Sequence, residues 1–542
     1  MRFTLSQLAA VISAWLLAAV WVRAATAPRY GGTLRVELYA ASASLDPRAW
    51  RIGSLEAATN EKLAGLLFER LVALDNYGRI QPMLATDWSH DTATKRWQFT
   101  IRGGVKFSDG TALTAADVVT ALQPLLPANL SISAGAANTV VVQSAVAASD
   151  LLEQFASGRF FVYRVAASGE LVGTGPFVLG PAPPGGGSGA PRNANAAATG
   201  NAGGTVPING THLYFRANED AWSGRPFVDS VDVALGVPTL RAMFDLQLGK
   251  ADLIELSPEL VPRARQANLR VWSSDPVVLY GLRFDNAQSA VADPRLREAL
   301  SLALDRGTMA NVLLQKQAEP AAALLPQWLS GYAFLFNVEA NLERAKELRR
   351  TMMAGSGSAG VAPLRLRVDA AEDLPRLLGE RVAVNARQAS ILVQVVSRPT
   401  LRVGGGAASV APEPASGLHL FAWRYSSLSG RCELDAMLAA YNLAEPADGS
   451  GTSSDREQLY ARERRLLEDW RVLPLVVQAE SVGIGAAVRD WMAARWGEWR
   501  LADVWLDTPI EGGSTVSLKA SEVVKGSETH PLTSNAGVGA KP

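Results

Sequence analysis

A single cysteine, Cys432, stands in a chain of 542 residues. It excludes an intramolecular disulfide and any zinc or iron–sulfur centre built on cysteine, so hydrophobic cores alone must hold the fold. A hydrophobic fraction of 48% supplies the material for them. At roughly 150 residues per domain, the length predicts about three or four compact units. Disorder as the main state is excluded by 14 Trp and 15 Phe. The 52 Lys+Arg balance the 52 Asp+Glu, and no long basic run is present. Nucleic acid is therefore not an expected partner, because neutralising phosphates needs clustered Lys and Arg. His90, His212, His419 and His530 are far apart, so no local metal motif exists and no cofactor is expected.

The N-terminus reads as an export signal spanning residues 1–24. Arg2 gives a short positive start, and an apolar stretch follows from Leu8 to Val22. Cleavage fits after Ala24, or about as well after Ala27. The apolar run, about 15 residues, is short against the ~20 of a spanning helix. No cysteine lies near the cleavage region, which rules out a lipid-anchored form. A soluble, periplasmic mature protein is the expectation.

Further along, Thr33 to Tyr39 alternates as a half-buried strand does. Trp97 to Arg102 alternates again, and Val105 and Phe107 resume the pattern beyond Gly103-Gly104, which reads as a hairpin before the Asp109-Gly110 turn. Thr114 and Asp117 have capping-box spacing. From Pro181 to Gly210 the chain is almost entirely Gly, Ala, Pro, Asn, Ser and Thr. Such a segment cannot bury enough apolar surface to offset an ordering entropy of ~1–2 kcal/mol per residue, so a mobile insertion is expected. Asp293 to Arg306 predicts a helix with Asp293 as N-cap, Pro294 in the first position, and a stripe from Leu296 to Leu304. A second helix is predicted from Asp455 to Trp470. Ala354–Gly360 and Gly404–Ser416 read as loops, and the chain from Glu511 reads as a frayed tail.

In this order, the pieces resemble the extracytoplasmic solute-binding proteins of ABC importers, namely the large peptide/nickel/dipeptide-binding family (family 5). The resemblance begins at Tyr30 to Val36 (YGGTLRV) with Ser44 to Pro47 (SLDP), and continues through Phe68 to Val72 and Ile80 to Ala85. Its most specific part is Ile101 to Val118, IRGGVKFSDGTALTAADV. Gly173 to Phe177 (GTGPF), Asn218 to Pro226 (NEDAWSGRP), Asp293 to Leu300 (DPRLREAL) and Leu473-Pro474-Leu475 follow. The likeness covers about residues 30–505 and is diffuse after Gly307. Two departures stand out. The 181–210 insertion interrupts a link that is short in the family. At Phe421 to Ser426 (FAWRYS), peptide-binding members resemble Trp-x-x-Asp, whose aspartate pairs with the peptide α-ammonium; the matching residue here is Ser426.

The resemblance implies an α/β, two-lobed periplasmic-binding-protein fold of the large type, with mixed sheets flanked by helices and a ligand cleft between the lobes. Lobe I would comprise residues 30–45, 175–280 and 475–510, with 46–174 as its extra subdomain. Lobe II would be 281–474, with 181–210 a disordered insertion and 511–542 a flexible tail. The crossings fall near Leu279–Asn286 and Leu473–Gln478, and ligand would shift an open/closed equilibrium towards closure. The implied partners are a small solute, oligopeptide-like or related, and an inner-membrane ABC permease, with the protein itself a monomer.

The candidate ligand contacts are Trp423, Arg424, Tyr425, Ser426, Tyr280, Arg283 and Asp46. Each has a plainer reading beside it. Trp423 suits core packing equally well, Arg283 and Arg424 suit ion pairs, and Asp46 suits a turn cap before Pro47. Trp222 reads as core and Cys432 as an inert thiol. Catalysis is not expected. No Gly-x-Ser-x-Gly elbow, His-Glu-x-x-His, Walker loop or helix-opening Gly-x-Gly-x-x-Gly occurs. The alternatives are a degenerate binding scaffold with a structural or partner-binding role and, behind it, an exported hydrolase using a carboxylate pair.

Overall fold

The computed structural model describes residues 27–40, 43–145, 148–181, 205–206, 212–285, 293–355, 363–369, 373–398, 417–443 and 455–507. The expected export signal, most of the 181–210 insertion, the loop 404–416 and the tail lie outside them. Strand β1 (Thr33–Leu38) buries Leu34, Val36 and Leu38 on one face, as its alternation requires. Helix α1 (Leu55–Leu67) starts at Ser54, whose Oγ accepts the Ala57 N–H. A four-stranded antiparallel sheet follows, made of β2 (Ala85–Asp91), β3 (Arg96–Ile101), β4 (Leu130–Ala134) and β5 (Thr139–Ser144) in the order β2-β3-β5-β4. It packs on helix α2 (Ala115–Leu122) around Phe99, Val118, Leu122 and Phe155. The Thr114–Asp117 capping box is formed in both directions.

The hairpin expected across Gly103-Gly104 is not formed. Strand β3 pairs instead with β2 and β5, and the Asp109-Gly110 turn closes a small hairpin of its own, with Phe107 bonded to Thr111 and Leu113 to Val105 on either side of the Lys106–Ala112 bridge. Distant strands offer Trp97, Phe99 and Ile101 a buried face, and the short 105–107 segment cannot.

Apart from short strands that pair two by two, ten further strands join β1 in one eleven-stranded sheet. They are β6 (Phe177–Gly180), β7 (His212–Ala217), β8 (Ser230–Leu235), β9 (Leu253–Leu256), β10 (Arg270–Phe284), β11 (Ala318–Pro320), β12 (Leu364–Asp369), β13 (Val393–Arg398), β14 (Leu418–Arg424) and β15 (Val472–Ile484), with β1. The order is β6-β7-β8-β1-β9-β15-β10-β14-β12-β13, with β11 beside β15. Helices α3 (Pro294–Ala303), α4 (Leu342–Gly355) and α5 (Asp373–Gln388) cover the β12–β14 half. Helices α6 (Gly430–Tyr441) and α7 (Asp455–Glu468) complete that half. Asp293 caps α3 by accepting the Arg295 N–H. The helix stops at Ala303, short of Arg306, because Asp305 caps a separate turn.

Strands β10 and β15 join the two halves. One end of β15 pairs β9, and the other end of β10 pairs β14. Val277 to Leu282 of β10 is buried throughout, so it reads as an unbroken apolar run rather than an alternation. The β10–β15 ladder slips between Ser273, Pro276 and Val278, because proline lacks the N–H that a ladder needs. Both expected crossing segments lie largely in these strands, but the main irregularity sits N-terminal to Leu279. Among the described residues no helix is long and apolar enough to cross a membrane.

Candidate functional site

The segment from Trp50 to Ser54 meets β14 directly. The Arg424 N–H donates to the Gly53 carbonyl at 2.9 Å, and Gly53 lies against the Trp423 ring. A Cβ on Gly53 would stand 2.2–2.4 Å from three ring carbons, and its φ of +77° already belongs to the left-handed region. This contact lines a cavity of about 370 Å³, and Ile52 beside it lines both that cavity and a larger one of about 430 Å³. Alanine at position 53 adds a backbone penalty of ~1–2 kcal/mol to the collision. Gly53→Ala is therefore expected to part the segment from β14, enlarging the radius of gyration in solution scattering and lowering the melting temperature. A variant that scatters and melts like the parent would contradict this packing.

The larger cavity has apolar walls from Trp50, Leu126, Leu130 and Phe160, and Ser426 and Glu433 on its α6 side. Glu433 Oε1 accepts the backbone N–H of Ser426 at 2.7 Å and that of Ser427, and Oε2 accepts Trp423 Nε1–H at 2.8 Å. The Ser426 hydroxyl lies 3.5 Å from Oε1. Burial raises the Glu433 carboxyl to about 6, against these three donors and Arg424. Cys432 lines the same cavity, and burial pushes its thiol up to about 12. Asp150 accepts from the Ser429 hydroxyl and from the Arg431 guanidinium.

A buried ionic network reaches the same cavity through Glu61. Arg70 donates to Glu61 at 2.6 Å and to Glu498 at 2.7 Å. Lys62 donates to Glu255 at 2.7 Å and stands 3.6 Å from Glu480. Arg424 reaches Glu480 at 3.2 Å and Glu61 at 3.6 Å. Glu61, Glu255, Glu480 and Glu498 thus face Lys62, Arg70 and Arg424, one carboxylate more than cations. Burial raises the Glu61 carboxyl despite Arg70 and Arg424. Glu480 is held below the usual range, because Lys62 and Arg424 outweigh its burial. Gly497 makes room for the pair, since a Cβ there would come within 2.8–2.9 Å of Glu480 Oε2 and an Arg424 nitrogen.

The expected contacts fall in several places. Ser426 lines the larger cavity and Arg283 the smaller. Trp423 is both buried core and a wall of the smaller cavity. Arg424 is taken up by the network. Tyr425 is fully buried, with its hydroxyl donating to the Leu324 carbonyl. Tyr280 is buried in the β10–β14 core. Asp46 is paired with Arg48 and with the Tyr163 hydroxyl at 2.9 Å. Trp222 is half-buried and donates to Glu69 at 2.6 Å. Sequence reasoning passed over Glu61 and Glu433. Their signal is a carboxylate on the apolar side of a helix, as with Glu433 one turn before Met437.

The family described as bacterial extracellular solute-binding proteins, family 5, middle part, matches residues 79–195 and 205–391. Protein XP55 of Streptomyces lividans is 27% identical over 281 residues, 48% of this chain and 47% of that protein. The periplasmic murein peptide-binding protein MppA of Escherichia coli (strain K12) is 24% identical over 368 residues, 60% of this chain and 63% of that protein. The chain thus aligns with between about half and under two thirds of these relatives' lengths. The solved structure of the oligopeptide-binding protein AppA of Bacillus subtilis, in complex with a nonapeptide, superposes with a TM-score of 0.63 at 15% identity. It covers 89% of this chain and 100% of that one.

Proposed function

The chain belongs to the bacterial extracellular solute-binding proteins of family 5, with their two-lobed α/β fold, and on that premise we propose that it is the receptor of an ABC importer. It works outside the inner membrane as a monomer, with its export signal removed and no lipid anchor. It closes over a small solute and presents it to an inner-membrane permease. Closure bends β10 and β15 where their ladder slips, at Ser273 to Val278. The solute carries a cationic group, lodged in the larger cavity beside Ser426.

The observation behind this choice of solute is the excess negative charge under that cavity. The network holds one carboxylate too many, and Glu433 adds another. Of the cationic residues on the lining, Arg431 is matched by Asp150, and half-buried Arg159 donates to the Leu125 carbonyl. A buried carboxylate without a counter-charge costs several kcal/mol, which an ammonium in the cavity offsets. Serine at position 426 carries no charge, and Glu433, hydrogen-bonded to its backbone, supplies the anion from behind. At about 430 Å³ the cavity lies in the usual range of ~300–1,000 Å³ for small ligands, which supports a solute of dipeptide size.

The test is titration calorimetry with free dipeptides and with the same dipeptides N-acetylated. Binding of the free amines with compaction in solution scattering, lost on acetylation, is the expected result. Equal binding of acetylated peptides would remove the cationic requirement. No binding by any peptide, amine or opine would favour a partner-binding scaffold.

A further inference from the structure

The slip in the β10–β15 ladder is gripped from outside the two strands. Asp275 lies in it, between the paired residues Ser273 and Pro276. Its N–H donates to the Arg495 carbonyl at 2.6 Å, and its carboxylate accepts from the Arg495 guanidinium at 2.9–3.0 Å. The two residues thus hold each other twice, once through the backbone and once through charge. The residues on either side are engaged as well. The Ser274 hydroxyl accepts the Glu480 N–H at 2.9 Å, and the Pro276 carbonyl accepts the Trp328 indole N–H at 2.7 Å.

Arg495 belongs to a tight turn, closed by bonds from the Ala494 N–H to Glu498 and from the Gly497 N–H to Ala494. Three parts of the molecule meet on this turn. Trp491 and Trp499, at its ends, are buried in the core under β1, where Trp491 packs edge-on against Trp272 of β10. Half-buried Trp496 packs on the core of the β12–β14 half and on that of the four-stranded sheet. The Trp496 carbonyl also accepts from Arg424 at 2.9 Å. A hinge bends by changing φ and ψ at a few residues, and a slipped ladder is where such changes meet least resistance. Rotation there turns Asp275 away from a turn that two tryptophans anchor in the core. In this structure the double contact is made while the walls of the larger cavity touch. The Arg424 N–H bonds the Gly53 carbonyl, and a Cβ on Gly158 would stand 3.2 Å from the Ser426 carbonyl.

We propose that Asp275 and Arg495 form a clasp that positions the hinge, stabilising the enclosed conformation over an open one and thereby setting the affinity for solute. This rests on the reading that closure bends β10 and β15 at Ser273 to Val278. Neither residue lines either cavity, so the clasp acts through the hinge and not by touching the ligand. Apparent affinity scales with the fraction of protein in the binding conformation, so a weaker clasp lowers affinity for every solute by one factor.

Single-molecule energy transfer in the full chain without solute tests this, with dyes on Thr120→Cys in α2 and Gln388→Cys at the end of α5, in a Cys432→Ala background. Arg495→Gln and Asp275→Asn should each lower the ratio of enclosed to open molecules about two- to fivefold, the range of an exposed ion pair. The double variant should lower it no further, since both changes remove one interaction. Arg495→Lys, which keeps the charge, should restore most of the ratio. High salt, which screens exposed charges, should shift the parent and leave the double variant where it is. Two populations whose ratio ignores all these changes would overturn the clasp and leave the hinge standing. A single population in every variant would overturn both, because nothing then bends at the slip. Failure of every dipeptide to bind would defeat only the proposed solute class, since the populations are read without solute.

Discussion

Replacing Arg424 by methionine is expected to lower stability by about 3–5 kcal/mol at pH 8, the usual cost of breaking one side of a buried ionic network. Methionine keeps the stem's apolar packing but leaves Glu61 and Glu480 without the cation that reaches both. The penalty must shrink in acid. In the parent, Glu480 is held below its ordinary value, so its contribution is full above about 4.5 and is lost as pH falls below that. In the variant Glu61 keeps Arg70 and Glu480 keeps Lys62, but with one cation fewer against the same burial the pair is expected to rise above its unfolded values and to take up protons on folding. The penalty is then complete only above those raised values and is relieved as pH falls towards 5. Urea midpoints at pH 5 and pH 8 read the difference. Adding Glu480→Gln to the variant should recover part of the loss, because the two side chains interact and their effects do not add. A loss below about 1 kcal/mol at pH 8 would show that water already screens the network, and the charge argument for the solute would fall with it.

The features that sequence reasoning recovered are local ones. β1 alternates within six residues, Thr114 and Asp117 close a capping box three residues apart, and Asp293 caps the turn that follows it. Each depends on neighbours in the chain, so spacing alone reveals it. The hairpin at Gly103-Gly104 failed for the opposite reason. Val105 and Phe107 do face the core, but the partners of β3 come from Ala85–Asp91 and Thr139–Ser144. Register between distant strands leaves no trace in local periodicity.

The same divide runs through the site. The Phe421 to Ser426 motif leads to the larger cavity, which Ser426 lines. The charges around it come from elsewhere. Glu61 is on α1, Glu480 on β15, and Arg283, His419 and Arg367 converge only through the ladders of three strands. Arg424, which suited either an ion pair or a ligand contact, makes two ion pairs. No motif search unites such residues. A carboxylate on an apolar helix face, as at Glu433, is the one hint that the sequence held.

Glu433→Gln is expected to separate stability from binding. Folding raises the Glu433 carboxyl from 4.5 to about 6, so the native state favours the proton. Its ionisation therefore erodes stability as pH rises from about 4.5 to 6, by roughly 2 kcal/mol in all at 1.36 kcal/mol per unit. Glutamine has no such slope. Its single oxygen can still accept from Ser426 and Ser427, but its amide then faces the Trp423 N–H donor to donor. The unpaired donors cost about 1–3 kcal/mol. At pH 5 the variant should thus be the less stable protein, and at pH 7.5 it should match the parent within about 1 kcal/mol. Affinity follows another course. A hydrogen bond to a charged group contributes ~1.5–3 kcal/mol, so an amine-bearing dipeptide should bind the variant about 10- to 100-fold more weakly at pH 7.5. In the parent that affinity should rise between pH 5 and 7.5 as Glu433 ionises, and in the variant it should stay flat. Urea melts and calorimetric titrations at both pH values check the two halves. If the parent's affinity is flat while the variant's stability crosses as expected, Glu433 is a buried structural acid and the cationic group of the solute is met elsewhere. A pH-dependent affinity lost together with the carboxylate would make Glu433 the positioning residue that lets serine stand where an aspartate's charge is needed.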